Sequence, residues 1–263
     1  MCGEFINLSP ENLADEHLCC IIRTRKEHPG IEAKRKWLAE RLPEGHVFRK
    51  LNIKGCAFIE YAPLEKAWVP ITGENYLYIY CLWVQGSPKG HGYGRELMEY
   101  CIHDARQQGR DGICMLGAKK QKNWLSNQQF ARKYGFEKVD STEDGYELLA
   151  LSFEKEESGE TQAAFRGTVP QFTETARKQE ISSKTLTIYY DYQCPYIFQR
   201  IERLKEYCRM RELPADFILV DTLEQAKALP GVFNNWAVFN EGKFVTVNQV
   251  DSADIEKMIR QQK

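Results

Sequence analysis

Between Tyr76 and Cys101 the chain reads YLYIYCLWVQGSPKGHGYGRELMEYC: an alternating apolar run, a loop with Gly86, Gly90, Gly92 and Gly94, then a helical pattern. A glycine-rich loop between strand and helix suits a phosphate ligand. Backbone N–H groups and the positive helix end face the anion, and missing side chains allow close approach. Spacing narrows the ligand class. A dinucleotide fingerprint fails because Leu97, not glycine, stands three residues after Gly94. A P-loop fails because no Gly-Lys pair followed by Ser or Thr occurs after this strand. What remains is Lys89, Gly90, His91, Gly92, Tyr93, Gly94 and Arg95, with Trp83 and Val84 ending the strand before them. Two other positions carry chemistry. Glu60, in FIEY, is a carboxylate inside an apolar strand, read either as a group whose pKa burial raises or as an outward-facing residue. Cys194, in QCPY, sits before Pro195 at a strand-to-helix junction, where a helix N-terminus favours a thiolate; an inert buried thiol explains the same residues.

The elements that must hold these residues follow from periodicity. GEFINL reads as a strand, SPENLADEHLCCII as a capped helix and GIEAKRKWLAERL as a second helix. HVFRKLNIKG, CAFIEYAPLEKAWVP and YLYIYCLWV read as three strands, most simply a meander. After the loop, Leu97, Met98, Cys101, Ile102 and Ala105 share a helical face, and GICMLGA is a short apolar strand. NWLSNQQFARKYGF is expected to be a helix ending at Gly135, and GYELLALSF a closing strand. Polar residues dominate 154–184, which reads as a linker. Beyond it the order is β-α-β then β-β-α, with Asn240-Glu241-Gly242 as a tight hairpin turn.

Composition limits the function classes. The 263 residues suit two domains, and 43% hydrophobic residues supply their cores. Thirty-six basic residues balance 37 acidic ones, so no global field points to nucleic acid or an anionic membrane. Nine scattered cysteines without a C-x-x-C pair read as reduced thiols rather than a zinc site or dithiol centre, so no metal is expected. With no signal peptide or long apolar run, a cytoplasmic location is expected.

The loop and its context resemble the GNAT superfamily of N-acetyltransferases, whose acetyl-CoA motif is [Q/R]-x-x-G-x-[G/A]. Lys89 stands where the motif has Gln or Arg, and Gly92 and Gly94 match. The resemblance spans roughly Met1 to Phe153. It implies a GNAT-like domain with a central, mostly antiparallel sheet, acetyl-CoA as cosubstrate, and an amine acceptor. It also implies that Trp83, Val84 and Lys89 to Arg95 contact the cofactor, with the Val84 N–H as oxyanion or pantetheine donor. Transfer needs a base and a proton for the leaving thiolate. Glu60 is the candidate base. The family's tyrosine acid, four residues before the Gly-Phe pair, is replaced by Ala131. Tyr134 lies in another register and is expected to pack, which leaves Cys81 as the other candidate catalytic residue, or a small apolar one.

Residues 185–263 resemble a thioredoxin-like domain, with Cys194-Pro195-Tyr196-Ile197 where glutaredoxin-like proteins carry Cys-Pro-Tyr-Cys. Together the halves resemble the YoaP group of bacterial acetyltransferases. The fold class expected is therefore mixed α/β: residues 1–153 GNAT-like, 154–184 linker, 185–263 thioredoxin-like. The leading function is direct acetyl transfer from acetyl-CoA to a small-molecule amine, with the C-terminal domain shaping the acceptor site. Neither nucleic acid nor membrane is an expected partner, and a homo-oligomer is left open. The alternatives are a non-catalytic CoA-binding sensor and a thiol-active redox protein using Cys194.

Overall fold

The computed structural model describes residues 4–20, 22, 26–53, 56–153 and 167–260. In chain order its elements are β1 (Phe5–Asn7), α1 (Pro29–Arg41), β2 (Val47–Leu51), β3 (Cys56–Pro63), β4 (Ile71–Thr72), β5 (Tyr76–Gln85), α2 (Tyr93–Gln107), β6 (Gly112–Ala118), α3 (Gln128–Arg132), β7 (Glu137–Ser141), β8 (Tyr146–Ser152), β9 (Gln171–Phe172) and α4 (Glu174–Lys178). They continue with β10 (Leu186–Tyr190), α5 (Tyr196–Met210), β11 (Ala215–Leu219), α6 (Leu223–Lys227), β12 (Trp236–Asn240), β13 (Lys243–Thr246) and α7 (Ser252–Arg260). The fold is mixed α/β. Residue contacts group it into two compact units: Met1–Glu16, Glu40–Ala67 and Ile71–Phe172 in the first; His17–Ala39, Trp68–Pro70 and Thr173–Lys263 in the second.

The first unit is built on a sheet of seven strands in the order β1-β2-β3-β5-β6-β8-β7. β2, β3 and β5 form the expected antiparallel meander, and β1 adds to its edge by pairing antiparallel with β2. β5 and β6 are parallel, because α2 crosses over between them. The face of the sheet under α2 is apolar. Ala57, Ile59, Tyr61, Leu77, Ile79, Ile113 and Met115 pack with Leu97, Met98, Cys101 and Ala105 of the helix. Each large side chain buried there contributes about 1.5–3 kcal/mol.

Local expectations differ from the fold in several places, among them the strand expected over 56–70, which ends at Pro63. The described residues of 9–22 do not form a helix: they open with a turn in which the Ser9 carbonyl accepts from the Asn12 and Leu13 N–H groups and the Asn12 side chain accepts from the Ser9 N–H at 2.9 Å. The helix expected across 123–136 shrinks to α3, capped by Asn127, because the Gln128 amide turns inward and bonds both backbone groups of Ala118. The stretch read as a linker, 154–184, is described only in part. Its first part, 154–166, lies outside the described residues, whereas β9 pairs antiparallel with β4 and the Phe172 N–H bonds Asp140 at 2.7 Å.

The second unit contains a four-stranded sheet in the order β11-β10-β12-β13. β10 and β11 are parallel across α5, and the remaining pairs are antiparallel. Glu241 and Gly242 both have positive φ, 52° and 78°, as the turn between β12 and β13 requires. Residues 17–39 belong to this unit although they stand at the other end of the chain. Gly30 shows how closely they pack: a Cβ there would meet the Pro195 carbonyl oxygen at 2.0 Å. Among the described residues, no helix is long and apolar enough to cross a membrane.

Candidate functional site

β5 organises the first unit's site because it changes partners along its length. Tyr76 to Ile79 pair with Gly112 to Met115 of β6. Beyond Ile79 the two strands part: β6 continues against β8 to Ala118, while β5 continues against β3 to Gln85. An opening therefore lies between the second half of β5 and the end of β6. The Leu82 N–H points into it, donating to the Ser126 hydroxyl at 3.0 Å. Strand periodicity turns the N–H of Val84, two residues on, to the same side.

At the end of β5 the chain enters the glycine loop. Gly86, Gly90 and Gly92 adopt φ of 77°, 89° and 84°, a region costly for any residue with a Cβ. The Lys89 N–H closes a turn onto the Gly86 carbonyl at 3.0 Å. Gly92 then starts α2 without a side-chain cap. A Cβ on Gly90 would meet nothing within 4 Å, and one on Gly92 only the end of Arg95 at 4.0 Å. The loop is thus bare on its outer side, with Lys89, His91 and Arg95 exposed around it and Tyr93 half-buried. A pyrophosphate fits this donor set: uncapped helix N–H groups, cationic side chains and a surface without Cβ atoms.

The sheet face opposite α2 carries the polar chemistry. On β3, Glu60 is 1% exposed, and its Oε1 lies 2.8 Å from Nε2 of His46, itself 4% exposed. Both reach the same face because β2 and β3 pair antiparallel, with Phe48, two residues after His46, directly opposite Glu60. A register shift between Glu60 and Tyr61 makes Tyr80 the extra residue of β5: Glu60 pairs with Cys81, and Tyr61 with Ile79. The Tyr80 ring lies 5.2 Å from that of His46 and 5.1 Å from that of Tyr78. The structure thus joins Glu60, partly buried Cys81 and, beyond the sequence reading, His46 and Tyr80. Trp83 is 38% exposed, with its indole N–H on Gln85 at 3.3 Å.

Other titratable groups nearby are packed away. Tyr134 rests against Phe130, with ring centroids 5.3 Å apart, and burial raises its pKa. Ala131 is buried in the core under α2. The Tyr61 hydroxyl donates to Asp104 at 2.6 Å, and burial drives its pKa far upward.

In the second unit, partly buried Cys194 immediately precedes Pro195 and α5, as expected. The expected lowering of its pKa is reversed. Burial pushes the thiol up to about 12, with the neighbouring Cys19 thiol adding to the rise; bonds from the Tyr196 N–H and Gln249, and the charge of Lys34, oppose it without prevailing. Desolvation outweighs the helix end. Cys208 cannot serve as a resolving partner. It stands fourteen residues further along α5, roughly 21 Å at 1.5 Å per residue, whereas a disulfide needs Cα atoms about 4.4–6.8 Å apart.

Comparison with known proteins bears on this geometry. The profile of the Acetyltransferase (GNAT) family matches residues 11–136, and that of the YoaP-like family matches residues 214–257. A Bacillus subtilis (strain 168) protein described as "Uncharacterized N-acetyltransferase YoaP" is 33% identical over 255 residues, covering 97% of this chain and 98% of its own. Among solved structures, PaiA N-acetyltransferase from Thermoplasma acidophilum in complex with coenzyme A is 14% identical, with a TM-score of 0.42, covering 58% of this chain and 100% of that one. A GNAT family acetyltransferase from Brucella melitensis in complex with acetyl-CoA is 12% identical, with a TM-score of 0.37, covering 63% and 94%.

Proposed function

The chain belongs to the GNAT acetyltransferases and carries the YoaP-like C-terminal region, and from that premise we propose that it transfers the acetyl group of acetyl-CoA directly to a small-molecule amine. The observation that carries this reading is the continuity of the first unit's site. The bare glycine loop stands at the end of β5, next to the stretch where β5 and β6 part. α2 covers the other face of the sheet, and in this reading a ligand anchored at the loop lies along the opening with its far end toward the face of Glu60.

In this reading Lys89 to Arg95 receive the pyrophosphate, and Trp83 and Val84 border the pantetheine. The cosubstrate supplies an activated acyl group as a thioester. In this reading the Val84 N–H donates to oxygen charge developing on that acyl group. Glu60 accepts the proton that the amine sheds as it bonds to the acyl carbon. Cys81, beside Glu60, is the candidate donor to the departing sulfur. The YoaP-like half is read as a thioredoxin-like accessory domain, supported by its β-α-β and β-β-α order and by Cys194 at the head of α5.

The test is to incubate the protein and acetyl-CoA with a broad panel of amines and thiols, following free CoA and acetylated product together. Acetylated amine with stoichiometric CoA release supports the proposal. Tight acetyl-CoA binding in calorimetry without any acetylated product would replace it with a CoA-binding sensor.

A further inference from the structure

The buried His46–Glu60 pair is more polar than the sheet requires. Its neighbours on the same face are aromatic: Phe48 and Phe58 stack with centroids 4.8 Å apart, and Tyr78 and Tyr80 meet edge to face. Taking an imidazole and a carboxylate out of water carries a desolvation cost that apolar side chains of similar size avoid. Folding alone therefore does not select the pair. Its place is specific as well, for the irregularity that inserts Tyr80 into β5 stands where β5 leaves β6 and sets that ring over His46.

A carboxylate buried among aromatic rings is driven toward its neutral form, which cannot act as a base. A hydrogen-bond donor to its charged form opposes that drive and fixes its orientation. With Glu60 ionised, the 2.8 Å contact has His46 Nε2–H donating to Oε1. We propose that His46 is a positioning residue for acetyl transfer: its ring N–H holds Glu60 as an oriented carboxylate, ready to take the acceptor's proton. The inference rests on the acetyl-transfer reading above and assigns His46 no contact with substrate. The step balances. The amine nitrogen bonds to the acyl carbon, and the carbon–sulfur bond breaks. One amine proton passes to Glu60, and the sulfur leaves as thiolate and takes a proton from Cys81, which recovers one from solvent. Glu60 returns its proton to solvent before the next turnover.

A double-mutant cycle tests the assignment, using whichever panel amine the parent acetylates, with kcat and KM for acetyl-CoA measured on His46→Ala, His46→Gln, Glu60→Gln and the double variant His46→Ala/Glu60→Gln. His46→Ala is expected to lower kcat about 10- to 100-fold while KM for acetyl-CoA stays within about twofold, which a general loss of structure would not do. His46→Gln, which restores an N–H donor, is expected to recover most of kcat. Because His46 acts through Glu60, His46→Ala should cost nothing further in the Glu60→Gln background. Additive losses, a glutamine variant as slow as alanine, or parental kcat in His46→Ala each overturn the assignment while leaving acetyl transfer standing. Should His46→Ala fail to fold, His46→Gln and an added His46→Gln/Glu60→Gln double variant decide the matter: kcat near the parent's in the first and no further loss in the second uphold the assignment, and a loss of about tenfold in the first or an additive loss in the second overturns it. A parent that acetylates nothing overturns the acetyl-transfer reading itself, and this inference with it.

Discussion

Glu60 and Cys194 are both nucleophile-like groups placed beside apolar surroundings, and their immediate contacts separate them. Glu60 has a ring nitrogen 2.8 Å away, and its strand pairs with β5, whose other edge borders the opening. Glu60→Gln keeps the shape and removes the proton acceptor. Turnover of a panel amine should fall about 10²- to 10⁴-fold, with acetyl-CoA binding in calorimetry unchanged. Parental turnover in that variant removes Glu60 from the mechanism. Cys194 is held protonated instead, since burial pushes its pKa up to about 12. A thiol of ordinary pKa is roughly one-quarter thiolate at pH 8, while one near 12 is about one part in 10⁴. The raised value means that thiolate accumulates only as pH climbs through 12. Mass-spectrometric alkylation at pH 8 should find Cys194 at least about 100-fold slower than the same cysteine in the denatured chain. Rapid native labelling would restore the redox reading.

At the scale of elements, the glycine loop tests the cofactor placement. Gly92→Trp imposes about 1–2 kcal/mol of left-handed strain and fills the bare outer side of the loop, where no other group approaches closer than 4.0 Å. The side chain points away from the core, so the thermal midpoint should fall only slightly, while calorimetric affinity for acetyl-CoA should drop at least about tenfold. Equal affinity in a folded variant would move the cofactor elsewhere. This loop was legible in the sequence because its chemistry is local: glycine spacing, a strand before and an amphipathic helix after. β2, β3, β5 and β6 were legible for a similar reason, since alternating or wholly apolar runs leave few other solutions. His46 was not, because its partner lies fourteen residues away, and only the β2–β3 register shows that both share a face. β7 escaped because it is a polar, largely exposed edge strand with no alternation to read.

At the scale of the whole molecule, the chain's order and its packing order differ, and α1 is where the difference can be measured. Most of α1 belongs to the second unit, whose other large segment begins at Thr173. Trp37, 6% exposed, packs edge to face with Trp68 at 6.0 Å, and the Lys34 ammonium lies 4.6 Å from the Trp37 ring. Near its start, Gly30 approaches the backbone just before α5 so closely that an added methyl would sit 2.0 Å from the Pro195 carbonyl oxygen. Backbone cannot yield as a flexible side chain would, so Gly30→Ala must push the start of α1 and the Cys194–Pro195 junction apart. Alanine also favours a helix by about 1 kcal/mol over glycine, yet overpacking of this kind costs about 1–3 kcal/mol, and a clash this short places the balance on the destabilising side. Gly30→Ala in the full chain should therefore lower the thermal midpoint, whereas Lys36→Ala on the exposed side of α1 should leave it nearly unchanged. Loosening the junction should also hydrate Cys194, lower its pKa from about 12 and speed its alkylation at pH 8. A Gly30→Ala protein with parental stability and parental Cys194 labelling would show that the start of α1 does not hold this junction.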